Sequence, residues 1–421
     1  MLIKKVNIVF KDCIKKADVL IEEGTIKAIA QEIKYNKPDV INAENLHLAP
    51  AIIDMHVHTR DPGFTHKEDL HTCALAAAAG GVGTILAMPN TNPVPSNSAV
   101  IKDVLKRAKA EKIKILQCGA ITKDLAGEEL ADLKSLKNAG AAAFSDDGRP
   151  VANGAIMLAA LQKCKELEVP LLSHAEDLDI AKNGVINCGE ISKNLKINGI
   201  HKSAEESAIA REIALALSID APIHFCHVST KGSVDLIRFA KSKSDKITAE
   251  TAPHYLILTE DCLKNGDADY KMNPPLRTAE DVEAIKAAIA DGTIDAIATD
   301  HAPHAPAEKG DLISAPFGVV GLETLFSVCY DVLVGGGIIT LERLFELLHY
   351  NPAKILKIPK NSIEVGAKAD LILFDTDAKI TVNPEKFKSK SRNSAFKNMT
   401  FNGQITHTIM SGEIIFERGK A

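Results

Sequence analysis

Between about residues 50 and 355, short apolar runs alternate with amphipathic stretches. The runs are AIIDMH (51–56), GTILAMP (83–89), IKILQCG (113–119), AAAFS (141–145), VPLLSH (169–174), PIHFCH (222–227), KITAE (246–250) and IDAIATD (294–300). Runs this short and this continuously apolar read as strands buried on both faces, the mark of a parallel sheet. Between them, GAIMLAALQKCKELE and AEESAIAREIALALS carry apolar residues at helical spacing, as crossover helices do. Eight such strand and helix pairs predict a (β/α)8 TIM barrel, an α/β fold, with a doubly wound open sheet as the alternative. The glycine-rich AGGVGT (79–84) follows a helix and leads into a strand. That order is the reverse of a phosphate-binding loop, so it reads as a tight turn.

The two ends have another rhythm. In residues 1–49, ADVLIEEGTIKAIA sets Glu23-Gly24 between apolar alternations, a hairpin signal; in residues 356–421, AKADLILFD is followed by THTIMSGEIIFERG, with Ser411-Gly412 at its turn. Two β-rich ends around a different middle predict one small β-sandwich domain assembled from both termini, beside a catalytic domain over residues 50–355.

Composition narrows the function. The chain has 421 residues, 46% hydrophobic and 25% charged, enough for a large core. A net charge of −5 gives no basic footprint for nucleic acid. No apolar run is long enough to span a membrane, and MLIKKVNIVFKDC lacks an apolar signal core with a small-residue cleavage site. These features predict a cytoplasmic protein with no membrane partner. Its eight cysteines form no CxxC pair or framework spacing and are expected to be reduced and mostly buried.

In a TIM barrel the chemistry gathers where the strands' C-terminal ends meet, and reactive side chains do cluster there. The first strand delivers His56 and His58, the fourth is followed by Asp146 and Asp147, the fifth ends in His174, the sixth in His227, and the eighth in Asp300, with His301 and His304 just beyond. An HxH pair on one strand points both rings to one face. Four imidazoles and two carboxylates suit a borderline divalent ion such as zinc, and outnumber the needs of one tetrahedral ion. Two ions sharing a carboxylate bridge would use them all and would activate a water at neutral pH. His224, three residues before His227, is expected to face away from the barrel toward the helices. His47, His66, His71, His201, His254, His349 and His407 receive no role.

Taken together, DMHVHTRDPG, MPNTNPVPS, FSDDG, SHAED, CHVSTKGS, TAETAPHYL, KMNPPLR, IATDHAPH and APFGVVGLET closely resemble, in order, the motifs of dihydroorotases of the amidohydrolase superfamily, of the longer type shared by many bacteria. The resemblance runs from about residue 3 to residue 417. It implies a metal-bearing TIM barrel with a small β-sandwich, and reversible hydrolysis of dihydroorotate to N-carbamoyl-L-aspartate in pyrimidine synthesis. It assigns His56, His58 and Asp300 to one zinc, His174 and His227 to a second, and Asp147 to the bridge, although some members of this branch carry one metal. Asp300 is also implied as the proton shuttle. Arg60, Asn90 and His304 are implied at the substrate carboxylate. Asn273, with backbone groups of Phe317 and Gly318, is implied at the ring edge, and His58 also lies against substrate. Hydantoinases and allantoinases commonly bridge their metals with a carboxylated lysine on strand four, which AAAFSDDG lacks. Two other readings stay open: a different cyclic-amide hydrolase (hydantoinase, dihydropyrimidinase or allantoinase), and a non-catalytic relative that partners aspartate transcarbamoylase. A homodimer and a complex with that transferase are further implied partners.

Overall fold

The computed structural model describes residues 1–420. Eight parallel strands close into a barrel. Ile52–Val57, Val82–Ala87, Lys114–Ala120 and Ala143–Ser145 pair in order as one half, and Leu172–Ser173, Ile223–Phe225, Ile247–Thr251 and Ala296–Ile297 as the other. Parallel bridges from Phe144 to Leu171 and from Val57 to His301 join the halves. At the second closure the His58 amide donates to the His301 carbonyl at 2.8 Å. An open sheet would leave that edge unpaired, so the alternative topology is excluded.

The helices predicted between strands form over Gly154–Leu167 and Ser203–Ser218. The first is started by the Asn153 side chain, which accepts from the amides of Ala155 and Ile156 and satisfies donors that have no partner within the helix. AGGVGT makes the expected turn. Helix Leu70–Ala79 ends at Gly80, and Gly81, at φ +80°, turns the chain directly into strand Val82–Ala87.

Inside the barrel, Ile53, Met55, Leu86, Met88, Cys118, Ala143, Leu172, Cys226 and Ala296 form an apolar plug, to which Ala353 and Leu356 contribute. With this half packed dry, polar groups collect at the other end. The outer faces of the strands pack on the helices in a larger core that also takes in Ile372, Phe374, Ile405 and Met410 from the C-terminal strands.

Those C-terminal strands belong to a sheet built from both ends of the chain. Leu371–Thr381 pairs antiparallel with His47–Pro50, which pairs in turn with Leu2–Val9. Eight strands are linked in this sheet, and Ile3, Val19, Ile26, Leu48, Leu371 and Ile409 share a core separate from the barrel's. Both predicted hairpin turns are present. Glu23-Gly24 and Ser411-Gly412 have φ of +50°/+73° and +50°/+77°, the left-handed pair that a two-residue hairpin of this twist requires. The turns also touch, since a Cβ on Gly24 would lie 2.8 Å from the Ser411 carbonyl oxygen. Among the described residues no helix is long and apolar enough to cross a membrane.

Candidate active site

All four histidines and both aspartates singled out as ligands meet at the barrel mouth, each with little or no solvent exposure. Asp147 is at the centre. Its Oδ1 lies 3.2 Å from His56 Nε2, 3.4 Å from His174 Nδ1 and 3.5 Å from His227 Nε2, and its Oδ2 lies 3.5 Å from His58 Nε2. Asp300 Oδ1 lies 3.0 Å from His58 Nε2 and 3.6 Å from His56 Nε2. Thus His56, His58 and Asp300 form one potential ligand group, and His56, Asp147 and His227 an overlapping one. His174 stands 2.9 Å from His227, completing the second side.

The backbone reaches this geometry by leaving regular strand. In the first strand the register slips between Asp54 and Val57. One extra residue flips the alternation, so Met55 can fill the plug while its neighbour His56 also points inward. Arg60, His227 and Asp300 have φ of +58°, +35° and +49°. Non-glycine residues seldom adopt this left-handed region, and where they do it is often at functional sites. At His227 it ends the alternation in which Phe225 packs outward and Cys226 packs into the plug.

The two aspartates of FSDDG have different surroundings. Asp146 turns away and accepts from the amides of Ile121 and Thr122 at 2.7 and 3.0 Å, anchoring the loop that holds Asp147 inward. Asp54 does the same between the first and eighth strands, accepting from the Thr299 amide and hydroxyl and from the His56 amide.

Electrostatically the mouth calls for positive charge. Burial alone would raise the Asp147 and Asp300 carboxyls, but the imidazoles facing them hold both well below the usual range. Burial alone would likewise suppress the histidine cations, yet contact with Asp147 raises His56 and pushes His174 up to about 10. His56 Nε2 and Asp147 Oδ1 are buried, face each other, and have no hydrogen-bond partner. Two such atoms are satisfied together by a cation between them. A donor set of imidazole nitrogen and carboxylate oxygen therefore fits a divalent transition ion such as zinc.

The remaining predicted residues form the rim. Arg60 is 9% exposed; its Nε donates to the Pro303 carbonyl at 3.1 Å, and its Nη2 is 3.3 Å from His304 Nε2. It has no carboxylate partner among the described residues, and burial pulls its guanidinium down to about 10, still cationic at neutral pH. His304 Nε2 donates to the Phe317 carbonyl at 2.8 Å, while Lys67, paired with Glu308, stands 3.4 Å from its Nδ1. Asn90 Oδ1 accepts from His58 Nδ1 at 2.7 Å, which leaves His58 Nε2 for the cluster. Asn273 Nδ2 donates to Glu176 at 3.0 Å, and its buried Oδ1 has no partner.

One expectation needs correction. His224 does not face the helices: it lies inside the barrel, 1% exposed, with Nε2 3.1 Å from Glu250 and Nδ1 2.9 Å from Thr248 Oγ1. It shares the inward face with Cys226, two residues on; counting back from His227 misplaced it because the alternation breaks there. The Gly318 amide donates to the Lys271 carbonyl and its own carbonyl accepts from Lys309 and Asn393. Its backbone is thus fully engaged within the protein. Glu176 and Glu250 were missed altogether. Glu250 carried a readable signal, a carboxylate in an otherwise buried strand, which the apolar pattern of parallel sheets does not explain.

Comparison with known proteins agrees with this geometry. Residues 46–233 match the family model described as dihydro-orotase-like. The dihydroorotase of Acetivibrio thermocellus is 43% identical over 400 residues, covering 94% of each chain. That of Geobacter metallireducens is 44% identical over 404 residues, covering 95% of each. Among solved structures, the L-hydantoinase (dihydropyrimidinase) of Arthrobacter aurescens superposes with a TM-score of 0.89 at 25% identity, covering 100% of this chain and 96% of its own. The dihydropyrimidinase of Brevibacillus agri gives 0.86 at 25%, covering 100% and 95%.

Proposed function

This chain belongs to the dihydroorotase family, hydrolases of a cyclic amide, and on that premise we propose how the residues of its barrel mouth divide the reversible hydrolysis of dihydroorotate to N-carbamoyl-L-aspartate. The observation that carries the reading is Arg60, a buried guanidinium without a carboxylate partner. Dihydroorotate brings an exocyclic carboxylate to meet it. Hydantoin and dihydropyrimidine rings, named for the structural neighbours, mostly offer none.

His56, His58 and Asp300 would hold one zinc and His174 and His227 a second, with Asp147 between them. When bound, zinc supplies Lewis-acid polarisation of the amide carbonyl and lowers the pKa of a water to roughly 7. The protein's own residues do the rest. Arg60 grips the substrate carboxylate through paired charge-assisted bonds, with His304 and the Asn90 amide beside it. Asn273 Oδ1, left free because its Nδ2 is bound to Glu176, accepts from a ring N–H beside the Phe317 backbone. Asp300 takes the proton of the attacking water and delivers it to the departing ring nitrogen. Positioned by contact with His58 Nε2 at 3.0 Å, one carboxylate serves as base and then as acid.

Filled ligand positions and a complete rim support a working enzyme over a non-catalytic scaffold. The test is an ultraviolet assay of dihydroorotate and N-carbamoyl-L-aspartate turnover, with hydantoin and allantoin as controls and zinc measured on the same protein. Turnover of dihydroorotate with zinc bound is expected. Preference for hydantoin or allantoin would overturn the substrate reading, and a metal-free, inert protein would overturn the enzyme reading.

A further inference from the structure

Behind the ligand His56, on the side away from the mouth, lies a buried polar unit that the proposed reaction does not use. Glu250 is the seventh strand's inward carboxylate and is fully buried. Its Oε1 lies 3.2 Å from His56 Nδ1 and its Oε2 lies 3.1 Å from His224 Nε2. His224 Nδ1 is 2.9 Å from Thr248 Oγ1, whose hydroxyl faces the Ile223 carbonyl at 3.5 Å. Glu250 is sealed from solvent, while His224 and the half-buried Thr248 also line a cavity with Pro170, Lys241 and Lys246.

The carboxylate of Glu250 fixes the proton on the ring nitrogen of His56 that faces it. His224 Nδ1 and the Thr248 hydroxyl share a hydrogen bond. A carboxylate can only accept, and one oxygen of Glu250 lies 3.1 Å from His224 Nε2. The second oxygen of Glu250 accepts from His56 Nδ1–H. That places the only lone pair of His56 on Nε2, the atom facing Asp147 at 3.2 Å and Asp300 at 3.6 Å.

We propose that Glu250, held by His224 and Thr248, is a positioning residue that fixes the tautomer and ring orientation of His56 so that Nε2 is presented to the metal. The inference rests on the reading of His56 as a ligand. Outer partners of this kind typically account for 10–100-fold in metal affinity. Cys226, which also lies beside His56 and Glu250, provides a control because its thiol is only a weak donor.

The experiment is competition for zinc between a chromophoric chelator and the purified full-length protein, with circular dichroism to verify folding. Glu250→Gln keeps the shape and removes the charge, and zinc affinity is expected to fall about 10–100-fold. Thr248→Val, nearly isosteric, removes only the hydroxyl bonded to His224 and is expected to give a smaller fall in the same direction. Cys226→Ser is expected to stay close to wild type. Nitrogen-15 spectra of the metal-free protein should show a His56 Nδ1–H signal that shifts in Glu250→Gln. Wild-type zinc affinity in both folded Glu250→Gln and Thr248→Val overturns the proposal, and if Glu250→Gln fails to fold, Thr248→Val decides. The readout is independent of which ring is hydrolysed, so a failed substrate assay leaves it intact, whereas a wild-type chain that binds no zinc overturns the ligand reading on which it rests.

Discussion

Replacing Arg60 with methionine tests the substrate reading at its most exposed point. Methionine keeps an unbranched stem of similar girth, so the backbone at φ +58° is burdened no more than by arginine. At about 4 Å and an effective dielectric of about 20, a guanidinium and a carboxylate attract by about 4 kcal/mol. In this protein the desolvation of the guanidinium is already complete before substrate arrives, since Arg60 is 9% exposed and has no carboxylate partner. Little of the attraction is therefore lost to stripping water from the protein side. His304, 3.3 Å from Nη2, remains in the variant and keeps part of the grip. A net loss of about 3 kcal/mol follows, or roughly a hundredfold in kcat/KM at 1.4 kcal/mol per decade. Arg60→Lys keeps the charge without the fork and should lose about tenfold. Initial rates of dihydroorotate consumption give the numbers, with bound zinc quantified to show that the metal site is intact. Unchanged kcat/KM in a folded, zinc-loaded Arg60→Met protein would refute the assignment of this guanidinium to the carboxylate.

Asp300→Asn keeps shape but can no longer take a proton; kcat should fall by at least about 10²–10⁴-fold with far-ultraviolet circular dichroism unchanged, and retained activity would remove Asp300 from the proton path. Stability should carry a pH signature from Glu323, which burial pushes up to about 7 although it accepts from the amides of Lys388 and Ser389. A carboxyl whose folded pKa exceeds its unfolded value stabilises fully below about 4.5 and loses that contribution as pH rises through about 7, here roughly 3 kcal/mol. Denaturant titrations across that window should show the decline in wild type and a flatter profile in Glu323→Gln.

Much of this protein is determined by the sequence alone. The alternation of strand and helix follows from eight short, continuously apolar runs separated by helical spacing, while closure of the barrel against an open sheet was decided by the pairing of the first strand with His301. The Glu23-Gly24 and Ser411-Gly412 turns follow from residue types that accept positive φ. The candidate ligands also follow from the sequence, because a barrel strand's last residue reaches the mouth wherever the chain goes next, so His56, His174, His227 and Asp300 could be placed from local order. Tertiary structure decided what depends on packing between distant segments. Asp146 and Asp147 are identical letters, and only the amides of Ile121 and Thr122 turn one into an anchor and leave the other at the centre. Strict alternation sent His224 outward, but the left-handed turn at His227 breaks the count on which that placement relied. Glu250 lies 194 residues from His56 along the chain, and its bond with that imidazole exists only because the barrel closes. Local pattern specifies which residues reach the mouth; the orientation and charge of each are set by partners that only the closed fold brings within hydrogen-bonding distance.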